Sequence, residues 1–390
     1  MQKLFEPGAV ELADPRGDPN RVIEVQEAVE KLLRANQQRR EGIRQELLEQ
    51  GAWALPGLIN ATYVWMNDLR QSPHDQDALA SLIAELAGDN PAAADLLFRY
   101  GILETPFSTP RSIAQKALKE IDWRPSDEDR RKLKKTLDRY RRLEDHQTVV
   151  ELYDVLLSVH QMDDFSEALD VCKSWARKSL EPAGDLLKLL VQWFPEQATQ
   201  VFTEVFVAIK DKYRDKNLAR MLLDPLRYGL PTSWLQQGGL LEVSEDVLPH
   251  TRSGRHTAVE YLWEYAVCYC RKLKPGLWPD LFDRLHEQVL EQSNADIYRY
   301  WFEALGKAGE IEYVARQAQA DAGDETWGIQ AALQLLFLER SYPSARQALK
   351  DLQVDRPSRY DHAARKFEEI TGHPKEKGDT EGGRRPVRPI

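Results

Sequence analysis

"DQDALASLIAELAGDNP", residues 75–91, contains one amphipathic segment and the signals that end it and begin the next. Four apolar residues recur at offsets of 0, 3, 4 and 7 positions, the spacing of one face of an α-helix. They are Leu79, Leu82, Ile83 and Leu86. Gly88 then suits a left-handed helix end, Asn90 an N-cap, and Pro91 a first helical position, where no N–H is needed. The stretch therefore predicts two consecutive helices joined by a tight turn.

The same spacing recurs along most of the chain. "QATQVFTEVFVAI" (197–209) and "HTAVEYLWEYAVCYCRKL" (256–273) each carry a helical apolar stripe. Strict alternation of apolar and polar residues is almost absent, and "GGLLEVSEDVL" (238–248) comes nearest to a strand. Because Gly- and Pro-containing breaks recur at short intervals, we expect an all-α fold, an α-solenoid of antiparallel helical hairpins.

Composition limits the class of protein. The chain has 390 residues, 42% of them hydrophobic, and a formal net charge of −10, which argues against nucleic-acid binding over the whole surface. Its three cysteines do not form a disulfide framework and favour a reducing compartment. Neither a signal peptide nor a membrane-spanning segment is visible, so we predict a cytoplasmic protein with no membrane partner.

Two segments resemble HEAT repeats. "IRQELLEQGAWALPGLINAT" (43–62) is similar to the first helix of such a repeat, with small residues and a proline before a leucine-rich half. "RSIAQKALKEI" (111–121) is similar to the second helix. A proline inside a helix bends its axis, so we expect Pro56 to set helix curvature within a stack. The matching positions of the first segment are Leu47, Leu48, Gly51, Ala54, Leu55, Pro56, Leu58, Ile59 and Ala61.

Two later segments resemble other helical-hairpin repeats. Residues 152–182 are similar to a tetratricopeptide unit, in which Ala168 is the small contact residue and Pro182 the terminal breaker. Cys172 and Trp175 stand where an aromatic residue and an alanine are usual. Residues 296–321 resemble tetratricopeptide or pentatricopeptide hairpins around the turn "GKAGEIE".

These patterns predict a domain plan. A flexible N-terminus (1–20) precedes a HEAT-like region (21–125) and a tetratricopeptide-like region (126–228). A hinge or long loop (229–255) then leads to further tetratricopeptide-like hairpins (256–371). The last residues (372–390) are rich in Gly, Pro and charge and predict a disordered tail.

"RRKLKKTLDRYRR" (130–142) is the strongest charge feature, a helix with one narrow apolar stripe and an N-cap at Ser126. One interpretation is a solvated face balanced by acidic neighbours. The other is a docking surface for phosphates or an acidic partner. Its candidate binding residues are Arg130, Arg131, Lys134, Lys135, Arg139 and Arg142.

A second candidate is the segment "LPHTRSGRHTA" (248–258), whose basic side chains flank Ser253 and Gly254. Such a loop can hold an anion or a carboxylate, although a mobile loop between repeats explains it equally. Its candidate residues are His250, Arg252, Arg255 and His256. Arg384, Arg385 and Arg388 in the tail also suit a linear recognition segment or a solvated end.

No motif predicts a catalytic residue, a cofactor or a metal site. Cys268 and Cys270 point in nearly opposite directions on a helix, which places Cys270 in the core and excludes a shared ion. His286 and Glu287 form a dyad like those of HEAT-repeat deoxyhypusine hydroxylases, a family whose di-iron site needs several dyads. With one dyad only, we interpret it as a pair on a helix surface.

We therefore expect a non-enzymatic scaffold or adaptor that binds another protein along the concave surface of the solenoid. One alternative is nucleic-acid binding through the basic helix, in which case the protein would resemble the alkylpurine DNA glycosylases built from HEAT-like repeats. Those enzymes need a basic concave face, whereas here the basic residues cluster on one helix and the total charge is acidic. The second alternative is a metal-dependent enzyme of HEAT-repeat architecture.

Overall fold

The computed structural model describes residues 19–88, 90–212, 214–227, 229–251, 256–273, 276, 278–320 and 325–372. These residues form helices and turns and contain no strand, so the predicted all-α class is confirmed. The predicted flexible start before residue 19 and the predicted tail after Gly372 lie outside the described residues.

Backbone contacts divide the chain into two compact units, residues 1–166 and 167–390. The helices that begin in the first unit are α1 (Pro19–Arg34), α2 (Gln37–Glu49), α3 (Leu55–Val64), α4 (Met66–Gln71), α5 (Pro73–Ala87), α6 (Pro91–Leu96), α7 (Ser108–Glu120), α8 (Asp127–Arg142), α9 (His146–Leu157) and α10 (Met162–Lys178). A π-helical segment, Leu97–Leu103, continues α6.

The second unit consists of twelve further helices among its described residues. They are α11 (Pro182–Trp193), α12 (Ala198–Ala208), α13 (Lys216–Leu223), α14 (Thr232–Gln236), α15 (Gly239–Val247), α16 (Thr257–Leu273), α17 (Trp278–Glu291), α18 (Ala295–Ala308), α19 (Ile311–Gln319), α20 (Glu325–Leu338), α21 (Pro343–Asp355) and α22 (Pro357–Thr371). Short 3₁₀ turns such as Lys210–Lys212 and Leu248–His250 join some of them.

Helix ends follow the local signals of the sequence. Gly88 ends α5 at a φ of +48°, and the Asn90 side chain accepts a hydrogen bond from the Ala92 N–H at the start of α6. Pro91 occupies the first turn of α6, where a missing N–H is harmless. Local capping therefore sets these boundaries as predicted.

The HEAT-like stretch 43–62 is not one helix, and the prediction for Pro56 is wrong. α2 ends at Glu49, Gly51 has a φ of +66°, and the 3₁₀ turn Gly51–Ala54 leads into α3. Pro56 lies in the first turn of α3. A proline there displaces no helical hydrogen bond, so it begins a helix instead of bending one.

The described part of the predicted hinge or long loop, residues 229–251, is mostly helical. α14 and α15 occupy most of the described part, and α15 buries Leu240, Val243 and Val247. The segment "GGLLEVSEDVL", the nearest to a strand in the sequence, forms this helix because its buried residues follow a helical spacing.

Helices two apart in the chain pack side by side in each unit. In the first unit α3 contacts α5, α5 contacts α7 and α7 contacts α9. In the second unit one layer runs through α16, α18, α20 and α22, and α19 contacts α21 in the other layer. Each unit therefore contains helices that pack in layers.

The two cores differ in chemistry. In the first unit the fully buried Arg111 donates to the Thr105 carbonyl at 2.5 Å, to the Thr148 hydroxyl at 3.1 Å and to Glu151. In the second unit the buried indole of Trp263 lies 5.3 Å from that of Trp301, centroid to centroid. The first core thus includes a compensated charge, and the second is rich in aromatic rings.

Candidate functional site

The basic helix α8 begins at a capping box. The Ser126 hydroxyl accepts a hydrogen bond from the Asp129 N–H at 3.2 Å, and the Asp129 carboxylate accepts one from the Ser126 N–H at 3.1 Å. Acidic residues fill the first turn and arginines the last turn, which suits the helix dipole. The predicted N-cap is confirmed.

α8 packs through one narrow side. Leu133 and Leu137 are buried within the first unit, and Tyr140 is half-buried. At 100° per residue these three side chains fall within one arc of the helix. The opposite side of α8 faces solvent.

Arg130 and Lys134 flank the packed side and are used within the fold. Each places a nitrogen 2.6 Å from an oxygen of Asp164, a carboxylate that is fully buried. The hydrogen bond to Asp164 raises the pKa of Arg130. A buried carboxylate needs this compensation, so Arg130 and Lys134 have a structural role, and their binding of a partner stays a prediction.

The other four predicted residues form a single exposed row, which we name the basic stripe. It consists of Arg131, Lys135, Arg139 and Arg142. Their positions on the helix fall within an arc of about 80° and extend over about 16 Å. None of the four forms an ion pair with a described acidic residue. The stripe lies opposite Leu133 and Leu137, so its charges are free to contact a ligand.

A groove of about 560 Å³ runs beside the stripe, with Lys135 and Arg139 on one wall and Leu103 on the other. Leu103 ends the π-helical segment, where a methyl group at Gly101 would lie 2.3 Å from Cβ of Ala114. π-Helical turns are rare and are frequent at functional sites. The groove therefore adds to a cationic surface a wall of apolar residues and Glu104, whose carboxylate pairs with Arg99.

The second predicted site lies only partly within the described residues. Arg252 and Arg255 lie outside the described residues. His256 is fully buried, its ring stacks on Phe206 at 5.7 Å, and its backbone N–H donates to the Tyr300 hydroxyl at 3.1 Å. Burial lowers the pKa of His256 to about 4. His256 is a neutral core residue, so its prediction as a surface ligand is wrong.

His250 is exposed and lines a different groove, of about 760 Å³. Lys173 and Arg177 of α10 and Lys210 and Lys212 after α12 share its walls. Lys173 is partly neutralised by Glu204, at 2.7 Å. No sequence pattern joined these residues, because they come from three segments far apart in the chain.

The cysteines and the His286-Glu287 dyad do not form a common metal site in the described part of the chain. Cys270 is buried as predicted, and burial raises the pKa of its thiol to about 12. His286 is half-buried beneath Tyr313, and burial lowers its pKa, whereas Glu287 is exposed. His286 is thus a partly covered residue and Glu287 an exposed one on the surface of α17. No three His, Cys, Asp or Glu side chains converge as a metal site in the described part of the chain.

Comparison of the chain with protein-family models, with curated proteins and with solved structures finds no match. Among the described residues, every helix is too short or too polar to cross a membrane.

Proposed function

We propose that this protein is a non-enzymatic scaffold or adaptor of HEAT-like and tetratricopeptide-like hairpins that binds a partner protein. The basic stripe on α8 would contact an acidic segment of that partner. The observation that carries the proposal is the row of four exposed cations that lack an acidic partner among the described residues.

Two features support a protein partner. Helices two apart pack side by side, the arrangement from which hairpin arrays build long binding surfaces, and we expect the partner to lie along a concave one. The groove beside the stripe combines cations with the apolar residues Leu103 and Pro106, and its one acidic residue, Glu104, is paired with Arg99, which suits a peptide with acidic and apolar side chains.

Nucleic-acid binding is the second candidate, and the same stripe favours it. Phosphate contacts depend on clustered Lys and Arg side chains. The net charge of −10 opposes it, because the rest of the surface repels a polyanion. An experiment must therefore separate the two ligands.

The test compares the wild-type chain with Lys135→Glu/Arg139→Glu. A matched control, Lys350→Glu/Arg365→Glu, changes the net charge equally at two exposed positions in the second unit. Binding is measured by fluorescence anisotropy with two labelled probes, a glutamate- and leucine-containing peptide and a DNA duplex.

We expect the peptide to bind the wild type and the control alike, and the stripe variant at least tenfold more weakly. Tighter duplex binding, with a steep salt dependence that the stripe variant loses, would support the nucleic-acid alternative. Equal peptide binding by all three chains would contradict the assignment of the stripe.

A further inference from the structure

A groove of about 560 Å³ between α17 and α19 has aromatic walls that neither the predicted sites nor the proposed function uses. We name it the aromatic groove, and its rings are those of Trp278, Phe282, His286 and Tyr313. All four side chains are half-buried, so each presents part of its surface to solvent.

The rings are held together by spacing and by contact. Trp278, Phe282 and His286 recur every four residues and therefore share one face of α17. Phe282 lies 5.0 Å from Trp278 and 4.6 Å from Tyr313, centroid to centroid, and is perpendicular to the latter. His286 Nδ1 lies 2.7 Å from the Tyr313 hydroxyl oxygen. The walls are thus fixed before any ligand binds.

The rim of the groove carries charges of both signs. Asp283 is exposed and has no ion pair with any described residue. Glu310 pairs with Arg271 at 3.0 Å. The Arg316 guanidinium carbon already lies 6.0 Å from the centre of the Tyr313 ring. Arg316 therefore shows that a guanidinium can lie at these rings, and the exposed Asp283 carboxylate is available to pair with an incoming arginine.

We propose that the C-terminal segment of this chain, "RRPVRPI" (384–390), binds the aromatic groove. Aromatic-lined grooves bind polyproline II segments of the pattern P-x-x-P. With three residues per turn, Pro386 and Pro389 share one edge of such a segment, and Arg385 and Arg388 share the next. The proline edge would pack on the rings, and an arginine would pair with Asp283.

Helix directions place the end of α22 on the correct side of the second unit. Arg359 near the start of α22 pairs with Glu325 at the start of α20, at 2.8 Å. Phe367 near the end of α22 contacts Phe337 near the end of α20, with ring centroids 4.9 Å apart. The two helices are therefore parallel.

α20 is antiparallel to α19, because the Trp327 indole at its start donates to the Gln317 side chain near the end of α19, at 3.0 Å. α19 begins at Ile311, directly after Glu310. Thr371, at the end of α22, thus lies on the side of the second unit where α19 begins. Thirteen residues separate Gly372 from Pro386 and can span up to about 45 Å. The groove lies two or three helices away from the end of α22, a distance of up to about 30 Å, so the segment can reach it.

The test uses the full-length chain with a photo-crosslinking phenylalanine derivative in place of Val387. After irradiation, mass spectrometry identifies the linked peptides. We expect links to α17 and to the first half of α19. Asp283→Lys should reduce their yield at least fivefold, and Glu291→Lys, an exposed charge reversal at the other end of α17, should leave it unchanged.

Links concentrated elsewhere, or a yield insensitive to Asp283→Lys, would overturn the proposal. A mixture of isotope-labelled and unlabelled chains identifies links between two copies, and predominance of these would also overturn it. The Lys135→Glu/Arg139→Glu variant should leave the links intact, so failure of the proposed function and failure of this inference are distinguishable.

Discussion

α8 and α17 are both amphipathic helices, and they expose opposite kinds of surface. α8 presents the basic stripe above a buried carboxylate, Asp164, whereas α17 presents aromatic rings above the buried indoles of Trp301 and Trp327. The cations that pair with Asp164 are of the same type as those of the basic stripe, and the rings buried beneath α17 are of the same type as those exposed on it. The comparison teaches that residue type alone does not show whether a side chain stabilises the fold or can bind a ligand. That depends on the partners that the fold places beneath each helix.

The largest effect should come from the aromatic side of this comparison. Trp327 is 2% exposed and contacts the rings of His286, Tyr298 and Phe302. Trp327→Ala leaves a large cavity and should lower the free energy of unfolding by about 4 kcal/mol, measured by urea denaturation. Trp278→Ala, at the half-exposed rim, should cost less than about 2 kcal/mol. Equal losses of stability in the two variants would show that the buried Trp327 and the half-exposed Trp278 contribute alike.

The next effect is a pH dependence. The pKa of His256 is about 4 in the folded chain and about 6.5 when unfolded, so the unfolded chain binds more protons in between. Stability that is complete above pH 6.5 should fall by roughly 3 kcal/mol as the pH falls to 4. His256→Phe should remove this component in denaturation curves collected across that range. Parallel curves for the two chains would show that His256 does not contribute.

A smaller loss is expected beneath α8. Asp164→Asn removes the carboxylate shared by Arg130 and Lys134, but both cations are partly exposed and can regain water. The free energy of unfolding should fall by about 2 kcal/mol. The exposed neighbour provides the control, since Asp163→Asn should cost less than about 1 kcal/mol. A reversed order would contradict the structural role of Asp164.

The smallest expected loss of stability concerns the basic stripe, compared with Arg130 and Lys134 on the same helix. Replacing all four residues of the basic stripe by Gln should change the free energy of unfolding by no more than about 1 kcal/mol, mostly through the helix dipole. Arg130→Gln/Lys134→Gln should cost more, although it changes half as many residues. If the fourfold variant were the less stable of the two, the stripe would be part of the fold.

Much of the fold was predictable because helices depend on near neighbours. The cap at Ser126, the helix end at Gly88 and the buried stripe of α12 all follow from residues within a few positions of one another. Pro56 was misinterpreted because a proline in an apolar run suits both a bent helix and a helix start. The left-handed conformation of Gly51 decided between them.

The candidate site was predictable only in part. The sequence identified α8 as a cationic helix, and four of its six predicted residues form the basic stripe. The Trp278, Phe282 and His286 spacing was a usable signal for the aromatic groove, but the same spacing is typical of a buried core face. Nothing local distinguishes a half-exposed ring from a buried one.

The sequence alone determined which segments are helices and where most of them begin and end, because hydrogen bonding and capping act within about four residues. Only the tertiary structure decided which charges and rings stay available. Asp164 reaches Arg130 from thirty-four residues away, and His256 is buried against Phe206 from fifty away. Burial and charge compensation depend on such distant neighbours, which packing alone brings together.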